Sequence, residues 1–199
     1  MNALAKSIPE FLEKHPRANL LQAPAIIHKL PRLSSLLGHD IYILRDDLTG
    51  FALGGNKTGI HFSHIIHSTS SAGTQAGLVV GQCISSYDTQ IIGISASLKA
   101  SAQSECVHEL AWSTAQMIGA SIDRTKIIVD DNFVGPGYAQ ASKEGENAVK
   151  LFARLEGILL DSVYTGKAAA ALLHYAENSR FKNGNILFIH TGGNAGVYY

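Results

Sequence analysis

The chain has 199 residues, the size of one ordinary domain, and is long enough to bury a core without disulfides or a structural metal. Its 16 Lys and Arg balance 16 Asp and Glu, with nine His left over, which excludes a basic field for nucleic acid and an acidic tail. Charged residues at 16%, apolar residues at 46% and 19 glycines exclude a disordered chain and point to a glycine-turned α/β body.

The amino-terminal stretch carries Glu10, Glu13 and Pro16 and lacks a continuous apolar run, so it does not read as a signal peptide. Ser7-Ile8-Pro9-Glu10 fits a capping box opening a short helix that Pro16 ends. Leu30 to Leu37 reads as a second helix, stopped by Gly38. Strands are expected at Ile41–Leu44, Ile65–Ser68, Ile91–Ser95, Lys126–Val129, Ile158–Leu160 and Ile186–His190. Between them, Val107, Leu110, Ala111, Thr114 and Ile118 share one helical face. Ala148, Leu151, Phe152 and Leu155 share another, and Ala168, Ala171, Leu172 and Tyr175 a third.

Strands alternating with amphipathic helices predict an α/β fold: a parallel twisted sheet with helices on both faces. Cys83 and Cys106 form no C-x-x-C pair, which excludes a zinc knuckle and leaves reduced core thiols as the expectation. Apolar pieces such as Ala168 to Leu173 fall far short of the about 18 residues that a membrane span needs. A soluble, cytoplasmic protein with no nucleic-acid or membrane partner is expected.

In such a sheet ligands bind beyond the carboxyl ends of the strands, and the motifs cluster at predicted strand ends. Ser70-Ser71-Ala72-Gly73-Thr74-Gln75-Ala76-Gly77 follows a strand and leads into a helix expected to begin near Ala76. Small residues there let backbone N–H groups converge on an anion such as phosphate, with the Ser71 and Thr74 hydroxyls as further donors. The same residues also serve a plain strand-to-helix turn. The run Arg45 to Lys57 ends in Gly54-Gly55-Asn56-Lys57; Asn56 stands where a P-loop needs glycine, so no nucleotide fingerprint exists. What remains is one lysine on a glycine-rich loop, either a Schiff-base nucleophile if sheltered or a merely solvated side chain.

These two segments, with Gly135-Pro136-Gly137-Tyr138, Val163-Tyr164-Thr165-Gly166-Lys167 and Phe188-Ile189-His190-Thr191-Gly192-Gly193, resemble the D-cysteine desulfhydrase and 1-aminocyclopropane-1-carboxylate deaminase family. Its members are pyridoxal 5'-phosphate enzymes of the tryptophan synthase β fold type. The likeness runs through nearly the whole chain except Gly59 to His67, and implies the equivalent of the family's large domain. By resemblance, Lys57 would hold pyridoxal phosphate covalently and then move the substrate Cα proton, with Asn56 at the cofactor's 3-oxygen. Ala72, Gly73 and Thr74 would cradle its phosphate. Tyr138 and Tyr164 would flank the substrate, and Thr165, Thr191 and Gly192 would lie near the pyridine ring. Relatives that open the cyclopropane ring tend to carry Glu in place of Thr165, so the resemblance leans toward D-cysteine desulfhydrase. That reaction converts D-cysteine to pyruvate, sulfide and ammonia; 1-aminocyclopropane-1-carboxylate deamination is the alternative. The resemblance also implies a small amino-acid substrate and admits a homodimer.

The sequence departs from the family at one place. The family's lysine motif precedes a long α/β segment that forms a smaller domain and carries a Gln-Ser-Asn-His motif; here only twelve residues separate Lys57 from Ser70. Residues 1–199 are therefore expected to form a single cofactor-binding domain, with residues 58–69 marking the junction where about one domain's worth of chain is missing. One wall of the cofactor cleft would be lost and turnover impaired. An inactive cofactor-binding or interaction module, or a binder of some other phosphate ligand, also fits these residues.

His61, His64 and His67 recur every three residues in the junction, a spacing that gathers three imidazoles on neither a strand nor a helix. No metal site is expected, and the segment reads as a polar bridge. His190 is expected to pack at a strand end rather than act as a base.

Overall fold

The computed structural model describes residues 26–48, 60–85, 87–181 and 184–193; the capping box at Ser7 to Glu10 lies outside them. The elements are β1 (Ile26–Lys29), α1 (Pro31–Leu37), β2 (Ile41–Arg45), a 3-10 turn (Asp46–Leu48), β3 (Phe62–Thr69), α2 (Gly73–Ser85) and β4 (Gln90–Ser95). They continue as α3 (Ala100–Met117), a second 3-10 turn (Arg124–Lys126), β5 (Ile128–Asp130), α4 (Lys143–Glu156), α5 (Thr165–Glu177) and β6 (Asn185–His190). The six strands form one sheet in the order β1-β2-β6-β3-β4-β5. All neighbours are parallel except β1, which pairs antiparallel with β2 at the edge. The expected α/β sheet is present, with one antiparallel strand that the sequence analysis did not identify.

Most element ends follow from local chemistry. Pro31 opens α1 and Gly38, at φ 69°, closes it by donating its N–H to Ser34 O, since a left-handed residue ends a helix at least cost when it has no Cβ. Ser142 caps α4 by accepting from Gly145 N at 3.0 Å, and Glu144 and Glu146 occupy the first turn, where negative charge meets the positive end of the helix.

Helices α1, α4 and α5 cover one face of the sheet, over Ile41, Ile43, Ile66, Ile92, Ile94 and Phe188. Helix α5 is buried from Thr165 through Leu172; its alanines let it lie close against the strands, and a helix apolar all round belongs in such a place. On the other face, Ala76, Val80 and Ile84 of α2 pack on Ala111 and Ala115 of α3. A β-bulge at Ser63 shifts the register between Phe62 and His64. It turns Phe62 to the face of Ile65, Leu187 and Ile189, because one extra residue reverses the period-two alternation.

Several expectations change. Ile158–Leu160 is not a strand; Ile158 and Leu160 are buried in the segment after α4, and β6, the strand they approach, already has neighbours on both sides. Lys126–Val129 divides between the second 3-10 turn and the short strand β5. Helix α3 turns Gln103, Val107, Ala111 and Ala115 inward while Leu110 is 41% exposed. Gln103 sets that rotation by donating its side-chain amide to Thr69 Oγ1. Cys83 is half-buried and Cys106 exposed, both free, so neither is a core thiol.

The strand expected at Ile65–Ser68 lies within the central strand β3, flanked by β4 and β6, so the junction segment is not the polar bridge also expected of it. His61 is exposed, but His64 and His67 are buried, paired into a ladder rather than spanning a gap. Among the described residues no cluster of His, Cys, Asp or Glu could hold a metal ion. The His67 Nδ1–H donates to Ser68 O at 2.9 Å, while Nε2 has no partner among the described residues.

His67 pairs with Gly93 across β3 and β4. A Cβ on Gly93 would stand 2.2 Å from Gln75 Oε1, because the Gln75 amide lies over the strand on its way to Ile128 O, to which it donates at 2.7 Å. Gly93→Ala is expected to cost about 1–3 kcal/mol by overpacking, most of it relieved in a Gln75→Ala background. A denaturant double-mutant cycle measures this; additive costs would refute the contact.

Burial holds the His67 imidazole down at about 4 from its ordinary 6.5, opposed by the bond to Ser68. The unfolded chain therefore takes up this proton first as pH falls. The contribution of His67 is complete above 6.5 and lost toward 4, at about 1.4 kcal/mol per pH unit. Urea unfolding across that range should show this slope and lose it in His67→Gln.

Candidate active site

The site is built at the carboxyl ends of the strands. Strand β3 hands the chain to α2 on one face, whereas β6 is reached through α4 and α5 on the other. The ends of these neighbouring strands therefore open between the two helix layers, where α/β sheets bind ligands.

Beyond β3, Ala72 is buried with φ 66°, a left-handed conformation that turns the chain sharply into α2. The first helical hydrogen bond runs from Ala76 N to Ala72 O at 2.9 Å, so the amides of Gly73, Thr74 and Gln75 precede the ladder at the positive end of the helix. The helix begins at Gly73 rather than near Ala76, which brings the glycine and threonine into the cradle itself. A Cβ on Gly73 would meet only Ser71 Oγ, at 4.0 Å, and Thr74 is half-buried. Converging amides, a hydroxyl and open space in front fit a phosphate group.

Beyond β6, the half-buried Thr191 shares a 3.2 Å hydrogen bond between its Oγ1 and Ser68 Oγ, so the hydroxyls join the ends of β3 and β6. Gly192 follows at φ 107°. His190 is fully buried, and its Nε2–H donates to Leu159 O at 2.9 Å, the packed strand-end role expected for it.

The amino terminus of α5 reaches the same edge. Buried Asp161 accepts from Val163 N at 2.8 Å and Tyr164 N at 2.6 Å through Oδ1. Its Oδ2 accepts from Thr165 N at 3.0 Å and Thr165 Oγ1 at 2.5 Å. The Thr165 hydroxyl also accepts from Asp161 N at 2.9 Å. Thr165 is thus a capping residue whose hydroxyl proton is already committed.

The hydroxyls of Tyr138 and Tyr164 lie 2.7 Å apart, and their rings meet edge to face. Tyr164 holds its proton above the usual phenol range, first through the hydrogen bond with Tyr138 and then through burial and the nearby Tyr138 and Asp161 charges. Lys167, three residues on, is fully buried and donates to Gly137 O at 2.9 Å and Ala96 O at 3.1 Å. Desolvation lowers its pKa, opposed by the charge of Asp161.

Lys57 and Asn56 lie outside the described residues. The chain enters their loop from β2 through Arg45, whose guanidinium donates to both Asp47 carboxylate oxygens at 2.8 and 2.7 Å. The structure brings together the strand ends carrying the cradle and Thr191, and separately pairs Tyr138 with Tyr164. Sequence reasoning assigned no role to Asp161 or Lys167. Both left signals: an acidic residue just before a helix start, and a lysine leading into an unbroken alanine face. At the opposite end of the sheet a cleft of about 400 Å³ includes Gln82, Cys83, Asp88, Asp123 and Lys126, at the amino ends of β4 and β5.

Comparison with known proteins bears on this arrangement. A family model described as pyridoxal-phosphate dependent enzyme matches residues 52–192. A D-cysteine desulfhydrase of Yersinia pestis (strain Pestoides F) is 44% identical over 135 residues, covering 67% of this chain and 41% of that protein. A D-cysteine desulfhydrase of Yersinia enterocolitica serotype O:8 is 44% identical over 140 residues, covering 70% and 42%. The chain therefore spans about two fifths of the length of these curated relatives. A crystal structure of an ACC deaminase homologue aligns with a TM-score of 0.87 at 20% identity, covering 99% of this chain and 97% of that one, which shows a shared fold.

Asp161 caps α5 through several hydrogen bonds at once. Asp161→Ala is therefore expected to destabilise the protein by about 2 kcal/mol or more. Asp161→Asn, which keeps the carbonyl acceptor, should cost less. Thermal or denaturant unfolding of the variants decides; equal stability of Asp161→Ala and the parent would remove Asp161 from this role.

Proposed function

The chain belongs to the pyridoxal-phosphate dependent enzyme family, and from that premise we propose a lyase that acts on a small amino acid, D-cysteine, releasing pyruvate, sulfide and ammonia with the uptake of one water. The observation that carries this reading is the 44% identity to D-cysteine desulfhydrases. Thr165, bound into the Asp161 cap, supports it over ring opening of 1-aminocyclopropane-1-carboxylate, because no carboxylate stands at that position.

Pyridoxal phosphate, when bound, supplies an electron sink that makes the substrate Cα–H acidic. The amides of residues 73–75 and the Thr74 hydroxyl would hold its phosphate, with Ala72 making the turn that presents them. Thr191, whose hydroxyl is tied to Ser68, would supply a neutral hydroxyl near the pyridine ring, with Gly192 as its neighbour in the chain. Lys57 would carry the amine that takes the Cα proton, and Asn56 would contact the cofactor at its 3-oxygen. Tyr138 and Tyr164 lie toward the substrate. Tyr164 holds its phenol proton above the usual phenol range, so it serves as a hydrogen-bond donor toward the substrate rather than as a base.

Residues 1–199 constitute one cofactor-binding domain in this reading. Residues 58–69 mark the junction at which the relatives' smaller domain is absent, and β3 runs through it. Without that domain one side of the cleft admits water and holds the substrate less firmly, so turnover is slow unless a second copy closes it. A cytoplasmic location is part of this proposal; among the described residues no helix is long and apolar enough to cross a membrane.

With pyridoxal phosphate and D-cysteine, stoichiometric enzyme should release equal amounts of pyruvate and sulfide at least about a hundredfold more slowly than the longer relatives. Lys57→Ala should abolish both products, and 1-aminocyclopropane-1-carboxylate should yield no ammonia. Absence of sulfide from the parent chain would end the desulfhydrase reading, while release at the relatives' rate would end only the open-cleft argument.

A further inference from the structure

We propose that Lys167 is a positioning residue whose ammonium, by gripping the Gly137 carbonyl, holds Tyr138 opposite Tyr164. Tyr138 is 56% exposed, so packing does not fix it. The loop that carries it makes only long backbone bonds of its own: Val134 N to Asp131 O and Gln140 N to Gly137 O, both 3.4 Å. The Lys167 bond to Gly137 O is shorter, at 2.9 Å, and charge-assisted. A carbonyl oxygen has lone pairs for both donors, so Lys167 adds its hold without displacing the turn.

Lys167 lies in the first turn of α5, and Tyr164 is the residue immediately before that helix. The start of α5 thus supplies both the grip on the backbone of Gly137 and, from the residue before it, the hydroxyl partner of Tyr138. The same ammonium takes the carbonyl of Ala96, the residue after β4. The exit of β4 and the tyrosine loop are therefore referred to one point, itself anchored by the Asp161 cap. An apolar side chain of similar length would fill the space, yet would leave both carbonyls without this donor. Keeping a fully buried amine among alanines, where a methionine would pack, is accounted for by the positions it fixes.

The inference assigns Lys167 a part in the site proposed above, but its test reads the tyrosine pair without turnover, so failure of the desulfhydrase reading leaves it standing. In the full chain with isotope-labelled tyrosine, the Tyr164 resonance, assigned through Tyr164→Phe, is titrated by NMR. Lys167→Met should lower the Tyr164 titration toward the ordinary phenol range, by as much as Tyr138→Phe is expected to lower it, whereas a purely structural role would change the unfolding midpoint and leave this titration in place. A folded Lys167→Met protein in which Tyr164 titrates as in the parent overturns the proposal. Should that variant not fold, nuclear Overhauser contacts from the Lys167 ammonium to the Gly137 α-protons in the parent chain decide the matter. Their presence is expected, and their absence overturns it.

Discussion

The carboxylate of Asp161 is the constraint on which the site depends. It sits almost out of solvent at the amino end of α5 and accepts from the amides of Val163, Tyr164 and Thr165. Unpaired amides are costly to bury, and this carboxylate satisfies two in the turn that leads into α5 and one at its first residue, where it meets the positive end of the helix. Because α5 is buried along most of its length, fixing its first turn also fixes Tyr164 and Lys167. Gly193 completes the arrangement: a Cβ at that position would fall 2.4 Å from Asp161 Oδ2, so the segment leaving β6 runs directly over the cap.

Around that turn the ends of the sheet are joined by polar side chains rather than by apolar packing. Ser68 meets Thr191, Gln103 meets Thr69, and Lys167 meets the carbonyls after β4 and before Tyr138. Hydrogen bonds have direction, and a buried donor without its acceptor is expensive. The loops are thereby held in one arrangement at the edge where a ligand's anionic group would enter. Farther from that edge, apolar contact takes over, with Phe152 against Phe188 and Leu33 and Ile41 in the same cluster.

The strands and helices were legible where hydrophobic period and local stop signals agreed, as at Ile41, Ile91, Ile186 and the helix closed by Gly38. They were misread where a local pattern had a different tertiary use. Ile158 and Leu160 alternate like a strand but fill the core from an irregular segment. Leu110 sits on an apolar stripe, yet Gln103 turns another side of the helix inward. The strand at Ile65–Ser68 was legible, but not its place at the sheet centre, where His64 is enclosed beside Phe181 and His67 sits against the Ser68 carbonyl.

The sequence alone determined the class of fold, the family likeness and the small-residue turn at Ala72 to Thr74, because these depend on residue type and spacing along the chain. Only the tertiary structure decided that Thr165 belongs to a cap, that Tyr138 and Tyr164 meet through their hydroxyls, and that the ammonium of Lys167 joins two loops. Those are bonds between groups as many as 71 residues apart, and their partners are set by how the helices lie on the sheet, which no local pattern records.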